Sequence, residues 1–315
     1  MTLLNFTKGH GTRNDFVLLD DSGNALDLDA SLVAELADRR GGIGADGVIR
    51  VVQSKDLEEG RAVLQNDPSA TWFMDYRNAD GSIAAMCGNG VRVFAAFLEE
   101  LGLVDFSSGL PVAIGTRAGL RTVRKEADWF TVGMGKWHFP GGSVAEQSGM
   151  DSTVHIAGLD GMGAHSARPA LSVDMGNPHT VVAVASLDEL AAIDFTAVPA
   201  VDPLPADGTN VEVVVPLENH LNSQGELVGH ISMRVHERGV GETQSCGTGA
   251  CAAALAVRHW ARLAASDTKA SVPDVWRVDV PGGRVQVRVL GSETELSGPA
   301  VLLAQGQIEI EKLRA

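Results

Sequence analysis

Cys87-Gly88-Asn89-Gly90-Val91-Arg92-Val93-Phe94-Ala95-Ala96-Phe97-Leu98 and Cys246-Gly247-Thr248-Gly249-Ala250-Cys251-Ala252-Ala253-Ala254-Leu255-Ala256-Val257 are two versions of one pattern. In each, a Cys-Gly-x-Gly turn opens an apolar run. Residues 250–257 are apolar on every side of a helix, and residues 91–98 are broken only by Arg92. A helix that is hydrophobic all round is buried all round. The pattern therefore predicts helices over 89–101 and 248–263, each wrapped by curved strands. The expected fold class is α/β (α+β): two pseudo-symmetric domains, each of mostly antiparallel strands around a central helix. The two helix N-termini would meet in a cleft between the domains, and the active site would lie there.

The rest of the chain fits that frame. Its 315 residues make two domains the default, and a 44% hydrophobic content suffices for two cores. Strand-like segments recur at 16–19, 48–52, 72–76, 123–132, 171–174, 180–185, 211–215, 231–236, 275–280, 285–290 and 308–310. Residues 281–283, Pro-Gly-Gly, read as a hairpin turn. Further helices are expected at 31–40 and 187–193. Residues 55–70 read as a polar surface insertion, 136–150 as the domain junction and 158–169 as a second loop.

Charge and cysteine usage exclude several classes. A net charge of −15 argues against a nucleic-acid partner, and aromatics at 5% argue against a base-stacking platform. No stretch approaches the roughly 18 apolar residues of a membrane span, and residues 1–15 carry no apolar signal region. Three cysteines make no disulfide framework, which fits a reducing compartment. The expectation is a soluble, cytoplasmic protein without membrane or nucleic-acid partners.

Gly42-Ile43-Gly44-Ala45-Asp46-Gly47 matches a dinucleotide fingerprint, but a helix precedes it and a strand follows. That is the reverse of the context the motif needs, so it reads as a helix stop and a tight turn. There is no C-x-x-C or H-E-x-x-H, hence no expected metal site. No lysine context suggests pyridoxal, and no G-x-S-x-G elbow suggests a serine hydrolase. No cofactor is expected. Cys251 reads as a core thiol.

A lone Cys-Gly at a helix start is as readily a packing device as a reactive site. Two matching ones favour chemistry, because helix N-termini favour thiolate over thiol. Polar groups gather in sequence near these turns. They are Asn14, Asn78, Asn177 with His179, Asn210, and Glu237-Arg238 before Cys246.

These segments, in order, resemble the diaminopimelate epimerase family: His10-Gly11-Thr12-Arg13-Asn14, Gly44-Ala45-Asp46-Gly47, Asn78-Ala79-Asp80-Gly81, Met86 to Gly90, Gly176-Asn177-Pro178-His179, and Glu237-Arg238-Gly239 through Cys251. The resemblance implies cofactor-independent interconversion of LL- and meso-2,6-diaminopimelate, in lysine and peptidoglycan precursor biosynthesis. It implies Cys87 and Cys246 as the acid–base pair, with His179 and Glu237 assisting. It implies substrate contacts from Asn14, Asn78, Asn177, Asn210, Glu237 and Arg238. The backbones of Gly88, Asn89, Gly247 and Thr248 would hold the reacting carboxylate. A last strand returning to the first domain gives domains 1–136 plus 299–315, and 137–298. The partner expected is the small-molecule substrate; a homodimer is compatible with the family, and the residues do not decide it. Gly47 departs from a glutamine common in relatives, and His236 from a tyrosine. Cys87 and Cys246 alone would equally fit proline racemase or hydroxyproline epimerase. Two further classes compete with an epimerase: a thiol redox protein, and a cysteine-independent isomerase or binding protein of the same fold.

Overall fold

Two units make up the chain, Met1–Gly133 with Ser297–Ala315, and Met134–Leu296. The computed structural model describes residues 3–159, 167–265 and 271–313.

In the first unit the order is β1 (Leu3–Gly11), β2 (Asn14–Asp20), α1 (Ala30–Ala37), β3 (Gly47–Gln53), α2 (Glu58–Asn66), β4 (Trp72–Asn78), α3 (Gly88–Glu100), β5 (Val112–Thr116), β6 (Gly119–Glu126) and β7 (Trp129–Lys136). β7 runs on into the second unit. There follow α4 (Gly142–Ser148), β8 (Ser152–His155), β9 (Arg168–Asp174), β10 (Pro178–Ala183), α5 (Leu187–Ala192), β11 (Ala200–Asp202), β12 (Asn210–Leu221), β13 (Leu227–Glu237), β14 (Gly241–Thr243), α6 (Gly247–Ala265), β15 (Val275–Val280), β16 (Gly283–Leu290) and β17 (Glu293–Pro299). β18 (Val301–Glu309) belongs to the first unit and pairs antiparallel along β1.

The same succession of pairings builds each unit. In the first, β1–β2 is antiparallel, β2–β3 parallel, β3–β4 antiparallel, β4–β5 parallel and β5–β6 antiparallel. In the second, β9–β10 is antiparallel, β10–β12 parallel, β12–β13 antiparallel, β13–β15 parallel and β15–β16 antiparallel. Each cysteine-headed helix falls at the same place in its series: α3 between β4 and β5, and α6 between β13 and β15, after the short β14. This is the duplicated fold the sequence pattern predicts.

Burial explains why the two helices carry so few polar residues. α3 packs against β1, β2, β3, β4 and β18, and α6 against β9, β10, β12, β13, β15 and β16. Residues 250–257 are all buried, and so are Val91, Val93, Phe94, Phe97 and Leu98. Arg92 is 0% exposed; it donates to Asn89 Oδ1 at 2.9 Å and to the Thr12 hydroxyl at 3.4 Å. Strands against the helices are apolar on both faces where covered, as in Phe16-Val17-Leu18-Leu19 of β2, all 0% exposed.

Several local expectations need correction. Residues 55–70 are not a polar surface insertion: they contain α2, whose Val63 packs on Val52, Ala70 and Phe73. Too few apolar residues carry its helical period for the pattern to show. Residues 123–132 are not one interrupted strand but parts of β6 and β7, with Ala127 at φ +53° in the connection. The expected junction loop contains α4. Of the loop expected at 158–169, residues 160–166 lie outside the described residues, and Pro169 is already in β9. The helix expected at 31–40 ends at Ala37, where Asp38 Oδ1 accepts from the Arg40 and Gly41 amides. No helix among the described residues is long and apolar enough to cross a membrane.

Candidate active site

The two cysteines sit in matching local structures. Cys87 is the N-cap of α3 with extended backbone (φ −136°, ψ 120°), and its Sγ accepts from Gly90 N–H at 3.4 Å. Cys246 directly precedes α6, and its Sγ accepts from Gly249 N–H at 3.4 Å. A sulfur held this way shares the helix end with the amides of the next two residues, Gly88 and Asn89 or Gly247 and Thr248. These amides precede the first intrahelical bonds, Val91 N–H to Cys87 and Ala250 N–H to Cys246, both 2.9 Å. Such an end is an anion-binding device.

Around Cys87 the polar groups form one network. Asn14, the first residue of β2, donates through Nδ2 to Asp46 at 2.7 Å. That turns its Oδ1 toward Cys87 Sγ (3.4 Å) and Asn89 Nδ2 (3.3 Å). Asp46 is held in turn by Arg39 at 2.7 Å. Asn78 ends β4 and donates to the Ser82 hydroxyl at 2.9 Å; across the β3–β4 ladder it pairs with Gly47. A Cβ at Gly47 would lie 2.5 Å from the Arg77 carbonyl oxygen and 2.6 Å from the Tyr76 ring. The glutamine common in relatives therefore has no room in this chain.

The Cys246 unit uses the equivalent strand positions. Asn177 precedes β10 and His179 follows two residues on; Asn210 opens β12 and pairs with His179 across the ladder. Asn210 donates to the Pro178 carbonyl at 3.2 Å and accepts from the Arg238 amide at 2.9 Å, tying the three segments together. Both ring nitrogens of His179 are engaged, Nδ1 with Glu212 Oε1 at 2.7 Å and Nε2 with Asn177 Oδ1 at 3.1 Å. Glu237 closes β13 and accepts from the Thr243 hydroxyl. The Arg238 guanidinium is exposed and donates to the Asp207 carbonyl.

The electrostatics overturn one expectation. A helix end alone would favour thiolate at both cysteines. At Cys246, 7% exposed, burial pushes the thiol well above its usual range. The carboxylates of Glu237 and Glu212 push the same way, against the Thr248 hydroxyl and the Gly249 amide. Burial also raises the Glu237 carboxyl; the Thr243 hydrogen bond opposes this and the Glu212 charge adds to it. Burial and both carboxylates thus favour the protonated thiol at Cys246.

Two residues of these two clusters are not singled out by the sequence. Asp46 reads there only as part of a turn, yet it orients Asn14. Glu212 is 0% exposed in the apolar run Val211-Glu212-Val213-Val214-Val215, and that lone acid in a central strand is the signal that could have found it. Among the described residues no group of three or more His, Cys, Asp or Glu is arranged to hold a metal.

Comparison with known proteins gives the family. The family model "Diaminopimelate epimerase" matches residues 6–140 and 171–303. A diaminopimelate epimerase of Streptomyces coelicolor is 45% identical over 98% of this chain and 96% of its own length. One of Thermobifida fusca is 43% identical over 99% and 100%. Among solved structures, a phenazine biosynthesis protein of the PhzF family from Bacillus anthracis superposes with TM-score 0.62 at 15% identity, over 98% of this chain and 100% of that one. A hydroxyproline epimerase from Agrobacterium vitis does so with TM-score 0.56 at 14%, over 97% and 92%. These two likenesses speak for the fold alone. The chain belongs to the diaminopimelate epimerase family.

Proposed function

We propose that the protein interconverts LL- and meso-2,6-diaminopimelate without a cofactor, with Cys87 and Cys246 acting on opposite faces of the α-carbon in a cleft between domains 1–136 plus 299–315 and 137–298. One observation carries the reading. In each unit a cysteine heads the helix enclosed by the strands, with its sulfur on the amide three residues on.

Inverting a stereocentre that has one proton calls for a base on one side and an acid on the other. A thiolate removes the α-proton while the opposite thiol delivers its own, and the roles exchange in the reverse direction. The α-proton of an amino acid is far less acidic than a thiol, so the carbanion needs stabilisation. The amides of Gly88, Asn89, Gly247 and Thr248 supply it, since charge flows into the α-carboxylate as the proton leaves and preorganised donors strengthen with it. Asn14, Asn177 and Glu237 bind the polar head at the reacting carbon, with His179 and Glu237 assisting the proton transfers, while Asn78 and Asn210 add amide hydrogen bonds to the distal head. Arg238, whose guanidinium can make a bidentate pair, takes the distal carboxylate. The protein works as a cytoplasmic homodimer in this reading.

Turnover assays test it. The wild-type chain should epimerise LL-diaminopimelate and ignore L-proline, which has no distal head. Cys87→Ala and Cys246→Ala should each abolish turnover with an unchanged circular dichroism spectrum. Rapid racemisation of proline would move the reading to the proline racemase branch. Near-normal turnover by either alanine variant would remove the two-thiol scheme.

A further inference from the structure

Glu212 and His179 lie on the neighbouring parallel strands β12 and β10, and neither side chain is exposed (0% each). Glu212 Oε1 is 2.7 Å from His179 Nδ1, while Oε2 has no hydrogen-bond partner among the described residues. A buried carboxylate with so little compensation is costly to keep, and its charge acts with little screening on whatever lies beside it. What lies beside it is the first turn of α6. A Cβ on Gly249 would be 2.6 Å from Glu212 Oε1 and 3.3 Å from Cys246 Sγ. Gly249 is glycine where carboxylate, helix and sulfur converge.

We propose that Glu212 is a positioning residue for this part of the site: it accepts the Nδ1 proton of His179, which turns Nε2 toward Asn177, and it stands as a fixed negative charge against the first turn of α6 at Gly249, beside Cys246 Sγ. The inference rests on the reading of Cys246 as one of the two acid–base groups. A carboxylate accepts only, so the 2.7 Å contact fixes the proton on Nδ1. With Nδ1 carrying the proton of the neutral ring, Nε2 accepts; the Asn177 amide group 3.1 Å away therefore presents its NH2 to the ring, with Oδ1 and Nδ2 exchanged by a flip of the amide, and that side chain is held by a ring that is itself held. The charged and titratable groups that bear on the sulfur come from three strands: Glu212 from β12, Glu237 from β13, and His179 from β10 through its field on Glu237. Burial and both carboxylates act in the same direction on the thiol, which is the direction the geometry requires.

Two measurements on the ligand-free full chain test this. The first is 15N NMR of histidine-labelled protein, with His179 assigned by its loss in His179→Gln. The second is the pH dependence of iodoacetamide alkylation at Cys246, read by peptide mapping with Cys87 as internal control. The wild-type ring should be protonated at Nδ1. Glu212→Gln should move the Cys246 profile to lower pH and leave the Cys87 profile in place. At a fixed pH below the profile's midpoint, Cys246 should then alkylate about tenfold faster for every pH unit the profile moves. Glu212→Asp, which keeps the charge, should stay near wild type and supplies the comparison if the glutamine variant does not fold. A wild-type His179 carrying its proton on Nε2 alone would overturn the proposal. So would coincident Cys246 profiles in wild type and Glu212→Gln, or an aspartate variant that alkylates as the glutamine one is expected to. Turnover of LL-diaminopimelate by the wild type is a separate assay; its absence would reject the functional reading and leave these two results to stand on their own.

Discussion

Cys87 and Cys246 share a motif but not an environment. Cys87 is half-buried, with the Asn14 carbonyl beside it; Cys246 is buried with two carboxylates acting on it. Iodoacetamide at pH 8 should therefore label Cys87 first in the ligand-free protein, and mapping of a partial reaction would show the order. Labelling of Cys246 first would contradict the electrostatic account. Arg238→Met should raise KM for LL-diaminopimelate by roughly 30-fold or more, because losing a charge-assisted contact to a carboxylate costs ~2–5 kcal/mol; a steady-state assay reads it. The cysteines, the asparagines and Glu237-Arg238 are legible in the sequence because they stand in short polar turns that family resemblance and simple chemistry both pick out. Glu212 is not, because a strand rich in valine looks like core. Nor is the rise at Cys246: a helix end is visible in sequence, whereas the depth of a sulfur and the carboxylates around it are made by strands distant in the chain.

α3 and α6 are legible as elements because their apolar character all round admits one location, the interior. Their first turns differ in tolerance. A Cβ at Gly90 would come within 3.2 Å of the end of the Ile49 side chain, which can move, whereas one at Gly249 would meet the buried, bonded Glu212 carboxylate at 2.6 Å. Gly249→Ala should therefore cost about 1–3 kcal/mol of stability, as overpacking does, and Gly90→Ala less. Urea midpoints of the two variants would show the difference, and equal midpoints would contradict it. α2 escapes the sequence because a helix of Glu58–Asn66 with Val63 as its buried apolar anchor has almost no hydrophobic period to read. The β6–β7 hairpin escapes because alanine, at Ala127, is an unexpected residue for a left-handed connection.

At the scale of the molecule, duplication is legible only around the cysteines, where the sequence repeats. The matching order of strand pairings is written in backbone geometry, which many apolar sequences satisfy equally, so β1, β5, β8, β11, β14 and β17 could not be placed from their residues. Stability in acid has a specific contribution in the first unit. Burial alone would raise the Asp15 carboxyl, but hydrogen bonds from Arg39 and Lys8 outweigh it and hold it at about 2 against a usual 3.8. A depressed carboxyl stabilises the fold fully above the unfolded value and loses that contribution as pH falls through the folded one. The stability gap between wild type and Asp15→Asn should accordingly be constant from pH 7 to about pH 5, shrink as pH falls through about 2 and close by about pH 1; urea titrations across that range would test it, and a gap undiminished at pH 2 would contradict the assignment. The central claim is that two thiols work on opposite faces of one carbon. Its most direct test is LL-diaminopimelate in deuterated water with the wild-type chain, followed by mass spectrometry of both isomers in the first few per cent of reaction. The account predicts solvent deuterium at the inverted carbon of the meso product while the remaining LL substrate stays unlabelled. Meso product that keeps its protium, or LL substrate that gains deuterium as fast as the product forms, would contradict it.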